Sequence, residues 1–140
     1  MIFTHIKRRV NAKRVYGEAI DRGARNALEE FVDIIVKDIR NSIKTSPPGQ
    51  PYTRYAPKRT GYASRRRNPP RNDKGRLLRG IKRIKYSRDK FDIDSQAPYS
   101  SALEFGSSKM AARPFMRPAM KRARKRISDI WRVNIGATLP

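Results

Sequence analysis

From residue 16 to residue 44, apolar side chains recur every three or four positions: Ile20, Ala24, Ala27, Leu28, Phe31, Ile34, Ile35, Ile39 and Ile43. That is the period of an α-helix. Glu29, Glu30, Asp33, Lys37 and Arg40 fall largely between them. The apolar stripe of such a helix is too wide to face water, so the rest of the chain has to supply a surface that covers it. Asp33 and Lys37 have the i,i+4 spacing and the order that favour an ion pair. Half of the acidic residues of the chain lie on this helix, which suits it to basic neighbours, within the subunit or across an interface.

A second long helix is expected from residue 114 to about residue 133. Its stripe is Phe115, Ala119, Met120, Ala123, Ile127, Ile130 and Trp131, beside Lys121, Arg122, Arg124, Lys125 and Arg126. A basic amphipathic helix suits a membrane surface or nucleic acid. Packing against the first helix, through Phe31, Ile35, Ile127 and Trp131, accounts for the stripe more simply. Residues 100–105 read as a short helix that Gly106 stops by taking a left-handed conformation. Pro114 and Pro118 suit the first turn of the helix that restarts, where a backbone N–H is not missed. Residues 75–95 read as a turn leading into a hairpin. Ile84 and Tyr86 share one face, Phe91 and Ile93 share another, and Ser87-Arg88-Asp89-Lys90 makes the connection. Lys82, Arg83 and Lys85 point outward or along an edge, where lysine also guards against unwanted pairing. The expected class is α+β in a single domain, residues 1–140: two long helices packed on a small antiparallel sheet, with a long irregular basic arm.

That arm spans residues 45–73. Pro47-Pro48-Gly49-Gln50-Pro51 ends the first helix, and Pro57, Pro69 and Pro70 are expected to keep regular structure from resuming. Tyr52, Tyr55 and Tyr62 interleave with Arg54, Lys58, Arg59 and the run Arg65-Arg66-Arg67. Such a mixture suits nucleic acid, by stacking and phosphate contact. It equally suits a protein interface. An arm that orders on assembly is the reading taken, a disordered insertion being the alternative. Residues 1–14 read as a second basic arm or a short strand, with Lys7, Arg8, Arg9, Lys13 and Arg14 available to grip phosphates, or else as a disordered, solvated tail.

The formal net charge of +22, with pI near 11.3, makes a compact monomer repel itself. Nucleic acid, an acidic protein partner, or both are implied; a merely solvated basic surface is the bland alternative. Catalytic parts are not visible. Without cysteine there is neither a disulfide framework nor thiolate chemistry, and His5 stands alone near the terminus. Gly17 and Gly23 belong to no phosphate-cradling motif. Asp92 and Asp94 share a strand face and would suit a divalent ion, but no third carboxylate joins them, and Asp94 more simply caps a turn at Ser95-Gln96. No catalytic residue, metal or cofactor is expected, and the protein is not read as an enzyme. Neither a signal peptide nor a membrane span is visible, so a cytoplasm, or a particle assembled in one, is the expected location.

Residues 98–126 carry a resemblance. Tyr99, Glu104-Phe105-Gly106, the loop lysine, then Arg113-Pro114-Phe115 and Arg117-Pro118-Ala119 resemble the C-terminal signature of the small tail-component or neck proteins of long-tailed bacteriophages. That signature runs Tyr, Glu-(Phe/Tyr)-Gly-Thr, a basic loop, then Arg/Gln-Pro-Phe-(apolar)-Arg-Pro-Ala; Ser107 stands here in place of the Thr. Upstream, Ser46-Pro47-Pro48-Gly49-Gln50-Pro51 and Lys74-Gly75-Arg76-Leu77-Leu78-Arg79-Gly80-Ile81 resemble the family's Pro-Pro-Gly and Thr-Gly-x-Leu-Arg-x-Ser-Ile elements, with Lys74 replacing the Thr and Gly80 the Ser. The resemblance covers residues 20–133. It implies a structural virion protein of the head–tail interface, a neck or tail-completion component. Such a protein forms a ring around the DNA channel that joins the capsid connector to the tail, and is assembled in the host cytoplasm. The partners implied are further copies of the chain, the neighbouring head-closure or connector proteins, tail-terminator or tail-tube proteins, and phage DNA in the channel. A ring requires each subunit to offer one surface and accept another. The residues expected to make such contacts, or DNA contacts, are Tyr52, Arg54, Tyr55, Arg59, Tyr62, Arg65, Arg66, Arg67, Arg76 and Arg79. The signature residues themselves are expected to be structural. The alternative is a basic nucleic-acid-binding protein of ribosomal or chromatin-like kind, which leaves the Glu-Phe-Gly and Arg-Pro-Phe-Met-Arg-Pro-Ala elements unexplained.

Overall fold

The structure, a computed structural model, describes residues 12–55 and 58–139, with backbone alone at residues 12–15, 54 and 59. Helix α1 (Ala12–Lys44) comes first. Strands β1 (Pro51–Tyr55) and β2 (Lys58–Tyr62) form one antiparallel hairpin. A short helix, α2 (Arg76–Gly80), runs into strand β3 (Ile81–Lys85), which pairs antiparallel with β4 (Phe91–Ser95). Helices α3 (Ser100–Phe105), α4 (Met116–Arg124) and α5 (Ile127–Thr138) complete the chain. Two small antiparallel sheets among helices make this an α+β fold, as the periodicities require.

Two packing zones lie along α1. Its C-terminal half buries Ile35, Val36, Ile39 and Ile43 against Leu77, Ile81, Ala97, Leu103, Phe115, Ala119 and Ala123. Phe115, Ile39, Ile43 and Ile81 are the largest side chains closed off entirely. Full burial of each contributes about 1.5–3 kcal/mol. The N-terminal half of α1 meets α5 through small residues. Ala19, Gly23 and Ala27 are all buried, one helical turn apart. A Cβ placed on Gly23 would lie 2.7 Å from the Ile135 Cα and 2.9 Å from the Asn134 carbonyl oxygen, so the two helix backbones nearly touch there. Farther along, Asn134 donates to Glu30 and Arg122 pairs with Asp38, so α5 and α4 run antiparallel to α1.

The β3–β4 hairpin is latched to α1 by matched spacings. Arg83 and Lys85 lie two residues apart on one strand face, a rise of about 6.6 Å. Glu29 and Asp33 lie four apart on α1, a rise of about 6 Å. The Arg83–Asp33 and Lys85–Glu29 pairs close at 2.8 and 2.7 Å. The Phe91 ring, opposite Lys85 in the ladder, carries both cations, at 5.6 Å for Arg83 and 5.2 Å for Lys85. A third latch is the Arg40 guanidinium, which donates to the Ile81 carbonyl at 2.9 Å. The acidic residues of α1 thus meet basic residues of the same subunit. Asp33 is taken by Arg83 and not by Lys37.

Several expectations are corrected. Residues 45–73 are not wholly irregular, because the β1–β2 hairpin forms there in spite of the prolines. Pro51 takes the first strand position, where its missing N–H is tolerated. The segment 12–14 is helical, not part of a basic arm; the remainder of that arm, with His5, lies outside the described residues. The second long helix is two helices. Amides of Lys125 and Arg126 bond three residues back, to Arg122 and Ala123, so the turn tightens and α5 starts afresh. Lys121, Arg122 and Arg124 fall in the last turn of α4, where cations meet the negative end of the helix dipole. In one continuous helix Lys121/Lys125 and Arg122/Arg126 would instead repel as i,i+4 neighbours. Ile130 is the buried contact of α5, whereas Ile127 and Trp131 remain 39% and 36% exposed. Tyr86 lies beyond β3, and Asp94 sits within β4 on its exposed positions with Asp92.

Candidate interaction surface

The signature residues converge on one buried carboxylate. Glu104, at the end of α3, is 6% exposed. Its Oε2 accepts the backbone N–H groups of Phe115 at 2.8 Å and Met116 at 3.0 Å, and its Oε1 accepts that of Arg117 at 2.9 Å. Phe115 is the N-cap of α4, so these are the first donors of that helix. The first four N–H groups of a helix lack intrahelical acceptors. Here three of them meet Glu104, and the fourth position is Pro118, which has no N–H. The start of α4 is therefore fully satisfied by one side chain and one proline, and the negative charge sits at the positive end of the helix dipole. Gly106 closes α3 by donating to the Ala102 carbonyl. Its φ of 84° and ψ of 176° differ from the left-handed helical conformation expected, in a region that essentially only glycine occupies. A tight loop follows, with Ser107 and Met110 bridged by reciprocal backbone bonds. Arg113 N–H then returns to the Leu103 carbonyl at 2.7 Å. Phe115 and Ala119 fill the core, while Phe105 lies outside with the Arg117 guanidinium 4.5 Å above its ring.

Beside this lock stands the base of the β1–β2 hairpin. Gly49 N–H donates to Ala63, and Ala63 N–H donates to Gln50, so the ladder extends below the strands. Ser46 Oγ donates to the Pro69 carbonyl. Arg67 N–H reaches the Ala112 carbonyl, with Arg67 itself at φ 64°. The segment is thus tied at its base to the turn that follows α1 and to the loop before Arg113. Two clefts open there. One, of about 690 Å³, is lined by Tyr52, Tyr62, Tyr99 and the cations Arg71, Lys74, Arg76, Arg79 and Arg113. The other, of about 670 Å³, has Arg65, Arg66 and Lys109 on its walls. Ser64 and Arg113 line both.

The residues read as contact candidates are distributed unevenly over this surface. Tyr52, Tyr62, Arg76 and Arg79 come together at the larger cleft and Arg65 and Arg66 at the smaller. Tyr52 lies across Gly61, its cross-strand partner, with ring atoms where a Cβ would stand. Arg71 stacks on Tyr62 at 5.8 Å. Arg79 curls back to donate to the Lys74 carbonyl. Tyr55 projects from the end of β1, 84% exposed, and lines neither cleft, nor does Arg67. Arg54 and Arg59 face each other by backbone register. Arg71 and Ser64 were not singled out in the sequence, and Lys74, Tyr99 and Arg113 entered only through the resemblance. The signal that bears on them is the run of basic residues continuing past Arg67 toward Arg79. On the opposite side, the Lys85 ammonium bonded to Glu29 holds that carboxyl below the usual glutamate range, and the Ser87 hydroxyl does the same for Asp89. Among the described residues no group of three or more His, Cys, Asp and Glu side chains is placed to hold a metal ion, and no helix is long and apolar enough to cross a membrane.

No protein-family model, curated protein or solved structure matches this chain.

Proposed function

We propose that this protein is a structural subunit of the head–tail junction of a long-tailed bacteriophage, acting as a neck or tail-completion component of a ring around the DNA channel. The observation that carries the reading is the lock between Glu104 and the start of α4. The signature residues, separated by a loop in the sequence, form one physical unit. Glu104 needs free N–H groups, Pro118 removes one that would be left over, Gly106 provides the backbone reversal, and Phe115 and Ala119 seat the helix in the core. That gives the resemblance a structural reason at each of these positions. The unit fixes the relation between α3 and α4, as a subunit held by its neighbours in a ring requires. The basic clefts and the exposed hairpin offer surface for neighbouring head-closure, connector or tail-tube proteins, or for DNA in the channel. The highly basic composition also supports a simple nucleic-acid-binding protein, but that reading leaves the lock without a use.

The test is a triple substitution, Arg65, Arg66 and Arg67 to Gln, introduced into the phage. These side chains are exposed and outside the core, so the helical circular dichroism of the purified protein is expected to stay unchanged. Particles are expected to accumulate as DNA-filled heads without tails. Tailed particles at normal yield would overturn the role of this surface in assembly.

A further inference from the structure

The wall shared by the two clefts holds donors with nothing to donate to. Ser64 is 3% exposed and its Oγ makes no hydrogen bond; the Nε of Arg113 is buried and likewise unmatched. Among the described residues the Arg113 guanidinium meets only the Met110 sulfur, at 4.0 Å, a weak acceptor. A half-buried guanidinium whose Nε has lost water without gaining an acceptor is costly to keep. Arg71, Lys74, Arg76 and Arg79 surround the same space, against the single carboxylate of Asp73. The imbalance is that of a site missing its anion.

We propose that this cleft is a docking site for an acidic peptide segment of a partner protein, with one Asp or Glu carboxylate reaching Arg113 and Ser64 and its neighbours meeting the outer arginines. A carboxylate fits the guanidinium edge through paired N–H donors, and the serine hydroxyl supplies one more. The volume of about 690 Å³ is that of a site for a small ligand or a few residues. A nucleic-acid duplex carries its phosphates on a convex surface, whereas these donors lie on a recessed wall that a carboxylate reaches on its own side-chain stalk. Tyr62 and Tyr99, half exposed at the rim, give the backbone of such a segment aromatic surface to lie on. The inference rests on the reading above for the class of partner, a neighbouring protein in the particle.

The experiment uses the full chain and a fluorescein-labelled glutamate-rich decapeptide, followed by anisotropy at about 0.3 M salt, where charges are screened beyond about 6 Å. Ser64→Ala together with Arg76→Gln, and separately Arg113→Gln, are expected to weaken binding about tenfold or more. Arg124→Gln, an exposed charge on α4, together with Lys125→Gln, is expected to change it less than twofold. If Arg113→Gln fails to fold by circular dichroism, the Ser64/Arg76 pair decides. Equal weakening by the α4 pair would show diffuse attraction and overturn the site. An oligothymidylate of equal charge that binds more tightly than the peptide and is lost with the cleft variants would make this a nucleic-acid site and overturn the peptide assignment. No binding of the peptide at all also overturns it, while leaving the particle-assembly test of the arginine triplet untouched.

Discussion

At the scale of the residue, Glu104 controls more backbone than any other side chain described. Glu104→Ala leaves three N–H groups without their acceptor, one buried and two partly so. Bonds from such donors to a charged acceptor contribute about 1.5–3 kcal/mol each, and they are not independent. Glu104→Ala is therefore expected to destabilise the protein by about 3–5 kcal/mol, and Glu104→Gln, which keeps one carbonyl oxygen and loses the charge, by roughly half that. Urea unfolding midpoints check both; a wild-type midpoint for Glu104→Ala would show that the lock contributes nothing. The residue types of this lock are legible in the sequence, since a glycine stop, a loop and a proline restart can be read directly. The bond that joins them is not, because a Glu eleven positions before a helix start looks like any surface glutamate. Arg113 illustrates the same limit. Its place in the signature is visible, but its unmatched Nε is a fact of packing.

At the scale of the element, small residues prove as informative as large ones. The reading by apolar period finds α1 and follows its large side chains, but the seam with α5 runs through Ala19, Gly23 and Ala27, which contribute little to such a pattern. Two glycines of the same helix should therefore respond in opposite directions. Gly17 has nothing within 4 Å of a built Cβ, so Gly17→Ala gains helix propensity, up to about 1 kcal/mol. At Gly23 the same change meets backbone atoms of α5, and overpacking of about 1–3 kcal/mol outweighs that gain. Melting temperatures are expected to rise for the first and fall for the second; two rises would refute the close approach. The β1–β2 hairpin escaped the sequence reading for a different reason. Its strands, PYTRY and KRTGY, show no apolar alternation, so only the backbone ladder defines them. The β3–α1 latch carries a pH signature. Lys85, first by its hydrogen bond and then by its charge, lowers the proton affinity of Glu29 in the folded state. A group with a depressed folded value stabilises above its ordinary range and loses that contribution as pH falls through the lowered value. The melting-temperature difference between the wild type and Lys85→Met should be greatest near neutral pH at low salt and shrink on acidification below the usual glutamate range. A difference that grows on acidification would contradict the pair.

At the scale of the molecule, charge and packing are divided between two ends. Helix α1 carries seven basic and six acidic residues and α5 one of each, so the net charge of +22 belongs almost wholly to the rest of the chain. The composition makes an anionic partner legible, but not the clefts, because their walls come from β1, β2, α2, α3 and four loops that only the fold brings together. The pairing of α1 with α5 has a further consequence, in the order in which the chain becomes protected. Helix α1 leaves the ribosome before the helices that cover it, and it is covered in two instalments. Its C-terminal half is closed once α4 arrives, and its N-terminal half only when α5 has been made. Contacts of such long sequence separation form late, and surface awaiting them is prone to association. A chain stopped after Arg126 should therefore keep slow amide exchange at residues 35–43 but exchange rapidly at residues 19–27. Rapid exchange in both stretches would show that the two zones fold as one. Slow exchange in both would show that α5 is not what protects the first half. During synthesis, then, the cover over residues 19–27 depends on α5, a helix made long after the residues it shields.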